Sequence, residues 1–529
     1  MPSLKTDTEV EAVHSGAQPT LESVQSDIRN QPSPKSSRTA ELRHALLLLL
    51  VAIAAVAITG YHPYSEDAGI YVSGIKRVIH PSLYDSSAVF IAPYLKVSLF
   101  PEFGAWIIRS LHLPLEAFLF TSQILTTWLL LFACWSLARR CFERSEERWA
   151  ALLLTAVTLS VPVAGTSLFL MDPYLTSRSF STPLSLLAAV ACLDRKYLRA
   201  IFFLLLIGLF HPLMVIYAAV FVLLLWAVQT RHPIGLAALV LGGIAAAVAV
   251  QFSQRNFIES VGYQNAIGSR YYFFLANWHG YEQLGVVAPL LILAAYAYWR
   301  TPRTPSSGIV LSKSCIAFGL TSVFTALAFA RSNSHSHLIA ALQPLRPFLL
   351  IYFCMFVILG GLLGRFLLKR SIWRWVVVFV GTGAGLALAQ HAAYPASPQL
   401  ELPGAASTNA WTRAFLWIRN NTSADARIAL DSDYIHSPGE DGQGFRAIAE
   451  RDALADRSKD GGAAAVFRQL ADRWWIEQSA TTDLNKIDDA ERLRRLTPFH
   501  VDWVVLNVSA PTLFHCPFTN EAVKVCRLP

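Results

Sequence analysis

The 529 residues are 54% apolar and only 15% charged, where a soluble globular chain carries nearer a quarter charged. The apolar residues gather in runs close to the ~20 residues that one helical crossing of a bilayer needs, which excludes an ordinary soluble protein. The net charge of +8 lies in loops with no basic stripe interleaved with aromatics, which excludes nucleic-acid binding as its origin.

Residues 1–42 are rich in Ser, Pro, Gln, Thr and Glu and nearly free of aromatics. Such a segment cannot bury a core and reads as a disordered tail. It is too long and polar for the n-region of a signal peptide, so the first apolar run, 45–60, reads as an uncleaved helix. Further spans are expected at 115–138, 149–170, 181–193, 198–211, 213–229, 233–252, 284–299, 315–331, 346–364 and 374–391. No water in the bilayer core can satisfy a backbone group, so each run must be helical. The short alternating strands of a transmembrane barrel are absent. The runs 181–193 and 198–211 are barely long enough to cross and also fit a re-entrant pair.

Lys and Arg collect in alternate loops. One set holds Arg139, Arg140, Arg144 and Arg148, then Arg195, Lys196 and Arg199, then Arg231, then Arg300, Arg303 and Lys313, then Arg365, Lys369, Arg370 and Arg374. The positive-inside rule puts these loops and the N-terminal tail in the cytoplasm. The opposite loops carry Glu66, Asp67, Asp172, His211 and the stretch 254–282. An odd number of spans then leaves residues 394–529 outside. That last part is polar and mixed, with turn signals at Ser437-Pro438-Gly439 and Asp460-Gly461-Gly462. Trp411, Ala414, Phe415 and Ile418 share one helix face, and 427–431, 502–507 and 522–526 read as strands. Cys516 and Cys526 are either a disulfide, as suits a site outside the cytoplasm, or two buried thiols.

Chemistry-bearing residues cluster in the outer loops. The adjacent carboxylates Glu66-Asp67 follow the first helix, in Tyr61-His62-Pro63-Tyr64-Ser65-Glu66-Asp67-Ala68. They suit a divalent cation or a general base, or a solvated loop that caps a helix starting near Ala68. Arg178 suits a bidentate grip on phosphate, or a structural pair with Asp172 or Glu66. His211, before Pro212, suits a proton carrier or a donor to phosphate, or a hydrogen-bonded interfacial histidine. Arg270 stands among Tyr271, Tyr272, Trp278 and His279. The segment Arg331-Ser332-Asn333-Ser334-His335-Ser336-His337, followed by Arg346, is polar between two apolar helices and is a functional candidate. No Walker A, GxSxG, HExxH or CxxC pattern occurs.

The layout of residues 43–529 resembles the GT-C superfamily of polytopic membrane glycosyltransferases, bacterial members of unassigned substrate in particular. The resemblance rests on Glu66-Asp67 in the first outer loop and on Thr176-Ser177-Arg178-Ser179-Phe180-Ser181-Thr182-Pro183-Leu184. It rests also on His211-Pro212 and on the segment from Trp411 to Asn420 with Asn421-Thr422-Ser423-Ala424-Asp425-Ala426-Arg427 after it. The chain has Trp474-Trp475-Ile476-Glu477, so it lacks the WWDYG signature of oligosaccharyltransferase catalytic subunits. The resemblance implies transfer of a sugar, of the hexosyl type, from a polyprenyl-phosphate-linked donor to an acceptor on the extracytoplasmic face. Asp67 would be the base or a metal ligand, with Glu66 as second choice, and Arg178 would bind the donor phosphate. Asp172 would hold the acceptor or share a divalent cation (Mg or Mn) with Asp67. His211, Arg270, His335, His337 and Arg346 complete the expected substrate-binding set.

The expected architecture is an all-α polytopic membrane bundle of about eleven spans, GT-C-like, in the plasma (inner) membrane. It comprises a cytoplasmic tail (1–42), a transmembrane domain (43–393) and a small extracytoplasmic α/β domain (394–529). The expected partners are the lipid bilayer and the polyprenyl-phosphate-linked sugar. Competing readings are a lipid-linked polysaccharide polymerase or ligase, a transporter or flippase, and a non-catalytic membrane scaffold.

Overall fold

The computed structural model describes residues 34–254, 256, 258–298 and 305–529. Most of the expected tail, with Arg255, Arg300 and Arg303, lies outside the described residues. The helix Pro34–Thr59 begins inside the stretch expected to be a tail. By its contacts the chain divides into Met1–Leu50 and Val51–Pro529, and every later helix and strand belongs to the second unit.

Seven helices among the described residues are long and apolar enough to cross a membrane, and the chain is a multi-pass membrane protein. They are Leu115–Cys141, Pro212–Gln229, Pro233–Ser253, Gly280–Tyr298, Ser306–Phe329, Phe348–Leu368 and Ile372–Ala393. Each falls on an expected span. The expected spans 181–193 and 198–211 become Ser177–Leu193 and Tyr197–Phe210, of 17 and 14 residues. At 1.5 Å per residue the second is about 21 Å long, short of a ~30 Å hydrocarbon core.

The expected span 149–170 is corrected. Its helix is Ser145–Val157 and stops there. The Thr158 hydroxyl bonds back to the Leu154 carbonyl at 2.8 Å, and Pro162 disfavours helix at the residue before it. The chain turns instead, and Pro162 forms an isolated antiparallel bridge with Phe169. Three helices between the first two expected spans, Ala68–Ile79, Ala88–Val97 and Phe100–Leu111, are legible in the sequence only as a helix start near Ala68.

Ion pairs join the basic loops at one end. Arg140 Nε lies 2.6 Å from Asp194, Arg370 lies 3.2 Å from Glu146, and Arg365 lies 3.9 Å from Glu147. Three of the loops that the charge pattern groups together are therefore neighbours in space.

The C-terminal part carries a five-stranded sheet of order β2-β1-β3-β5-β4, where β1 is Arg427–Ala429, β2 Asp452–Ala453, β3 Trp503–Asn507, β4 Phe518–Thr519 and β5 Val523–Arg527. β1 runs parallel to β2 and β3, and β3–β5–β4 are antiparallel. The helix Ala410–Asn421 lays Trp411, Ala414, Phe415 and Ile418 against Ile428, Val505 and Val525, as its spacing predicts. Cys516 and Cys526 are disulfide-bonded.

Candidate active site at the helix ends

A cavity of about 1420 Å³ opens where helix ends meet the C-terminal domain. Glu66, Asp67, Arg178, His211, Arg270 and Arg346 all line it. These residues are far apart in sequence, yet each sits at or beside a helix terminus. Asp67 immediately precedes Ala68–Ile79, Arg178 lies in the first turn of Ser177–Leu193, His211 separates two helices, and Arg346 just precedes Phe348.

The loop that carries the acidic pair is fixed by the C-terminal domain. The Glu66 N–H donates to the Gly442 carbonyl at 2.6 Å, and the Gly444 N–H to the Tyr64 carbonyl at 2.9 Å. Glu66 adopts φ 53°, the left-handed region, which costs a non-glycine residue about 1–2 kcal/mol. Asp67 stands at the N-cap position of its helix but its side chain makes no cap hydrogen bond, so its carboxylate is left for other partners.

Those partners are cations. Lys459, from the C-terminal domain, reaches Asp67 Oδ1 at 3.2 Å and also bonds Glu66. Arg178 Nη2 lies 3.8 Å from Asp67 Oδ2. Burial alone would raise the Asp67 pKa, but Lys459, Arg178 and Arg346 outweigh it and hold the carboxyl at about 2. Asp67 is thus ionised across the physiological range. Burial also opposes charge on Lys459, yet Glu66 and Asp67 raise its pKa above the ordinary lysine value. Sequence reasoning misses Lys459. The adjoining Asp460-Gly461-Gly462 reads as a turn, whereas it forms the first turn of the helix Lys459–Val466.

Asp172 lies behind the cavity wall, only 5% exposed, with its carboxylate 2.6 Å from Arg178 Nη2. Burial pushes its carboxyl up against the attraction of Arg178. One guanidinium nitrogen therefore touches both carboxylates that were expected to share a divalent cation. Among the described residues no group of three or more His, Cys, Asp or Glu side chains is placed to hold a metal ion. As arranged, the Asp67–Asp172 donor set does not fit a divalent cation.

The remaining candidates separate. Arg346 lines the cavity, forms no ion pair among the described residues, and has a buried Nε without an acceptor. His211 Nδ1 accepts the Met214 N–H at 3.4 Å, which assigns the ring proton to Nε2. Arg270 donates to the Ser458 carbonyl at 2.8 Å and to the Arg457 carbonyl, so it braces the segment carrying Lys459. His335 and His337 are corrected: neither lines the cavity. His337 Nδ1 pairs with Glu259 at 2.6 Å and its Nε2 bonds the Ser332 carbonyl at 3.1 Å, a structural role. His335 is exposed. Tyr71, Tyr94, Tyr271 and Tyr272 add aromatic walls, and Phe210, Leu213, Ile216 and Leu342 form an apolar flank. Ile216 is 54% and Leu342 44% exposed, so this flank opens outward.

No family model matches the chain, and no curated protein matches it. Among solved structures it is similar to the apo oligosaccharyltransferase of Archaeoglobus fulgidus (TM-score 0.46, 12% identity, 88% of this chain and 69% of that one). It is also similar to the archaeal oligosaccharyltransferase AglB from Archaeoglobus fulgidus in complex with an inhibitory peptide and a dolichol-phosphate (0.43, 14%, 88% and 70%). A third likeness is to the arabinofuranosyltransferase AftD from mycobacteria (0.43, 12%, 89% and 35%). Likeness of this degree bears on neither activity nor substrate, so a functional reading has to rest on the chain's own residues.

Proposed function

We propose that the chain is a GT-C-type membrane glycosyltransferase that moves a sugar from a polyprenyl-phosphate donor to an acceptor hydroxyl, with inversion, on the extracytoplasmic face. The observation that carries this reading is one cavity that combines an ionised carboxylate, Asp67, an arginine that forms no ion pair among the described residues, Arg346, and an outward-opening apolar flank. The arginine and the apolar flank suit an amphiphilic phosphate ester, and the carboxylate suits a base for the acceptor hydroxyl. The isoprenoid chain lies along Phe210, Leu213 and Ile216. Arg346 and the Nε2–H of His211 meet the phosphate. The assignment of the donor phosphate to Arg178 gives way to Arg346, because Arg178 already serves Asp172.

In the transfer step the acceptor oxygen bonds to the anomeric carbon and the carbon–oxygen bond to phosphate breaks. The electron pair leaves on the phosphate oxygen, where Arg346 stabilises it. Asp67 orients the acceptor hydroxyl and takes its proton. A carboxyl held at about 2 is a weak final acceptor. The phosphate monoester released, with a second pKa near ~6, is the better resting place for the proton. The disulfide Cys516–Cys526 supports an extracytoplasmic C-terminal domain.

Native mass spectrometry of gently purified protein, paired with a transfer assay, tests the reading. A polyprenyl phosphate or its sugar-linked form co-purifies with wild type and with Asp67→Asn. It is lost from Arg346→Ala. Asp67→Asn folds normally and loses transfer by about 100-fold or more. Full transfer in Asp67→Asn removes Asp67 as the base. Absence of any isoprenoid from wild type, with no transfer from a supplied donor, moves the reading to a transporter or scaffold.

A further inference from the structure

The acidic pair has the makings of a cation site, yet a side chain from a distant part of the chain stands in it. We infer that Lys459 occupies the cation position of Glu66 and Asp67, so that the pair works with a protein ammonium in place of a divalent metal ion. The inference deepens the reading above and shares its assignment of Asp67.

Three observations support it. The Lys459 ammonium bonds both carboxylates, and 17% of its side chain is exposed, so it is neither a surface ion pair nor a sealed structural one. Its backbone is fixed from several sides. Asp456 Oδ1 accepts the Lys459 N–H at 2.5 Å, the Trp474 indole donates to the Asp456 carbonyl at 2.9 Å, and Arg270 holds the Ser458 carbonyl at 2.8 Å. A Cβ on Gly461 would lie 2.5 Å from Arg270 Nη2 and 2.9 Å from the Trp474 ring, so only glycine lets these braces close on the segment. A lysine stem anchored in this way presents its charge without reorganisation at the moment of reaction, which is the condition for electrostatic stabilisation. Finally, a divalent ion bridging Glu66 and Asp67 would have to expel the ammonium and leave it partly buried without a counter-charge, which is unfavourable.

Lys459 is therefore a positioning residue. It acts through Asp67, keeping the carboxylate ionised and aimed at the cavity. Arg270, expected to bind substrate, positions Lys459 in turn.

Manganese titration of the purified full chain in detergent, read from the free Mn²⁺ electron-paramagnetic-resonance signal, tests this. Wild type and Asp67→Asn bind Mn²⁺ equally, so no site depends on Asp67. Lys459→Ala gains about one Mn²⁺ per chain through the freed carboxylates, and Lys459→Ala/Asp67→Asn loses it again. If Lys459→Ala fails to fold, Lys459→Gln keeps the stem, removes only the charge, and carries the same expectation. In the transfer assay EDTA leaves the wild-type rate unchanged, and Mn²⁺ restores part of the activity that Lys459→Ala loses. Mn²⁺ binding to wild type that Asp67→Asn removes would overturn the inference, as would a Lys459 variant that gains no Mn²⁺. The titration needs no sugar transfer, so it separates failure of this inference from failure of the glycosyltransferase reading.

Discussion

Arg178 shows how one side chain is committed by its surroundings. Its Nε and Nη2 both bond Asp172, at 3.2 and 2.6 Å, and both side chains are largely buried. Removing one member of a buried pair costs about 3–5 kcal/mol, because the other charge is left unpaired, whereas removing both costs less. Arg178→Ala should therefore lower the apparent melting temperature in detergent more than Asp172→Ala/Arg178→Ala does. A scanning-fluorimetry ranking with the double variant lowest would show that Arg178 and Asp172 are not coupled as a buried pair. In the sequence, the pairing of Arg178 with Asp172 and its binding of phosphate are equally open. Spacing puts the two residues six apart across a loop, but only the packed structure brings the guanidinium onto the buried carboxylate.

At the scale of elements, the close approach of two helices is set by glycine. On Phe348–Leu368, a Cβ added to Gly360 would lie 2.6 Å from the Ala151 Cα of Ser145–Val157, and one on Gly364 would lie 2.8 Å from the Glu146 carbonyl. Small residues let helix backbones meet where lipid supplies no hydrophobic drive. Gly385, on Ile372–Ala393, has nothing within 4 Å of such a Cβ. Gly360→Leu should sharply reduce the yield of monodisperse protein in size-exclusion chromatography, while Gly385→Leu leaves it near wild type. Equal yields would show that the two helices do not meet closely at Gly360. The long apolar helices are legible because each is a local run of composition. The helix Ser145–Val157 is shorter than its apolar run because hydropathy does not register the break that Pro162 imposes.

For the molecule as a whole, the loops after the first helix and the C-terminal domain are bonded into one unit. Lys76 donates to Glu450 at 2.6 Å and to the Ala447 carbonyl at 2.7 Å. Asp452 accepts from the Ser86 and Ser87 N–H groups at 3.0 and 2.7 Å, and from the Ser87 hydroxyl at 2.5 Å. Hydrogen bonds to a charged group are worth about 1.5–3 kcal/mol each. Asp452→Ala should therefore speed hydrogen exchange over residues 80–90 by about tenfold or more and lower transfer without touching the cavity. Unchanged exchange there would mean the domain does not hold the loop. The sequence distinguishes this domain from the helices by its polarity and its strand-forming segments. It does not reveal that the domain supplies a charge to the site.

The sequence by itself determined the membrane character of the chain, the positions of its long spans, the grouping of its basic loops and a short list of candidate residues. Those features are written in local composition and in the distribution of Lys and Arg, which neighbours along the chain are enough to display. Only the tertiary structure decided which candidates meet. Lys459 and Asp67 stand 392 positions apart, yet Nζ lies 3.2 Å from Oδ1, and no periodicity or motif encodes such a pair. The same packing withdrew His335 and His337 from the site, because Glu259, 78 residues earlier, claims the His337 ring. Charge pairing across a cavity depends on which loops the fold brings together, and that is a property of the packed chain.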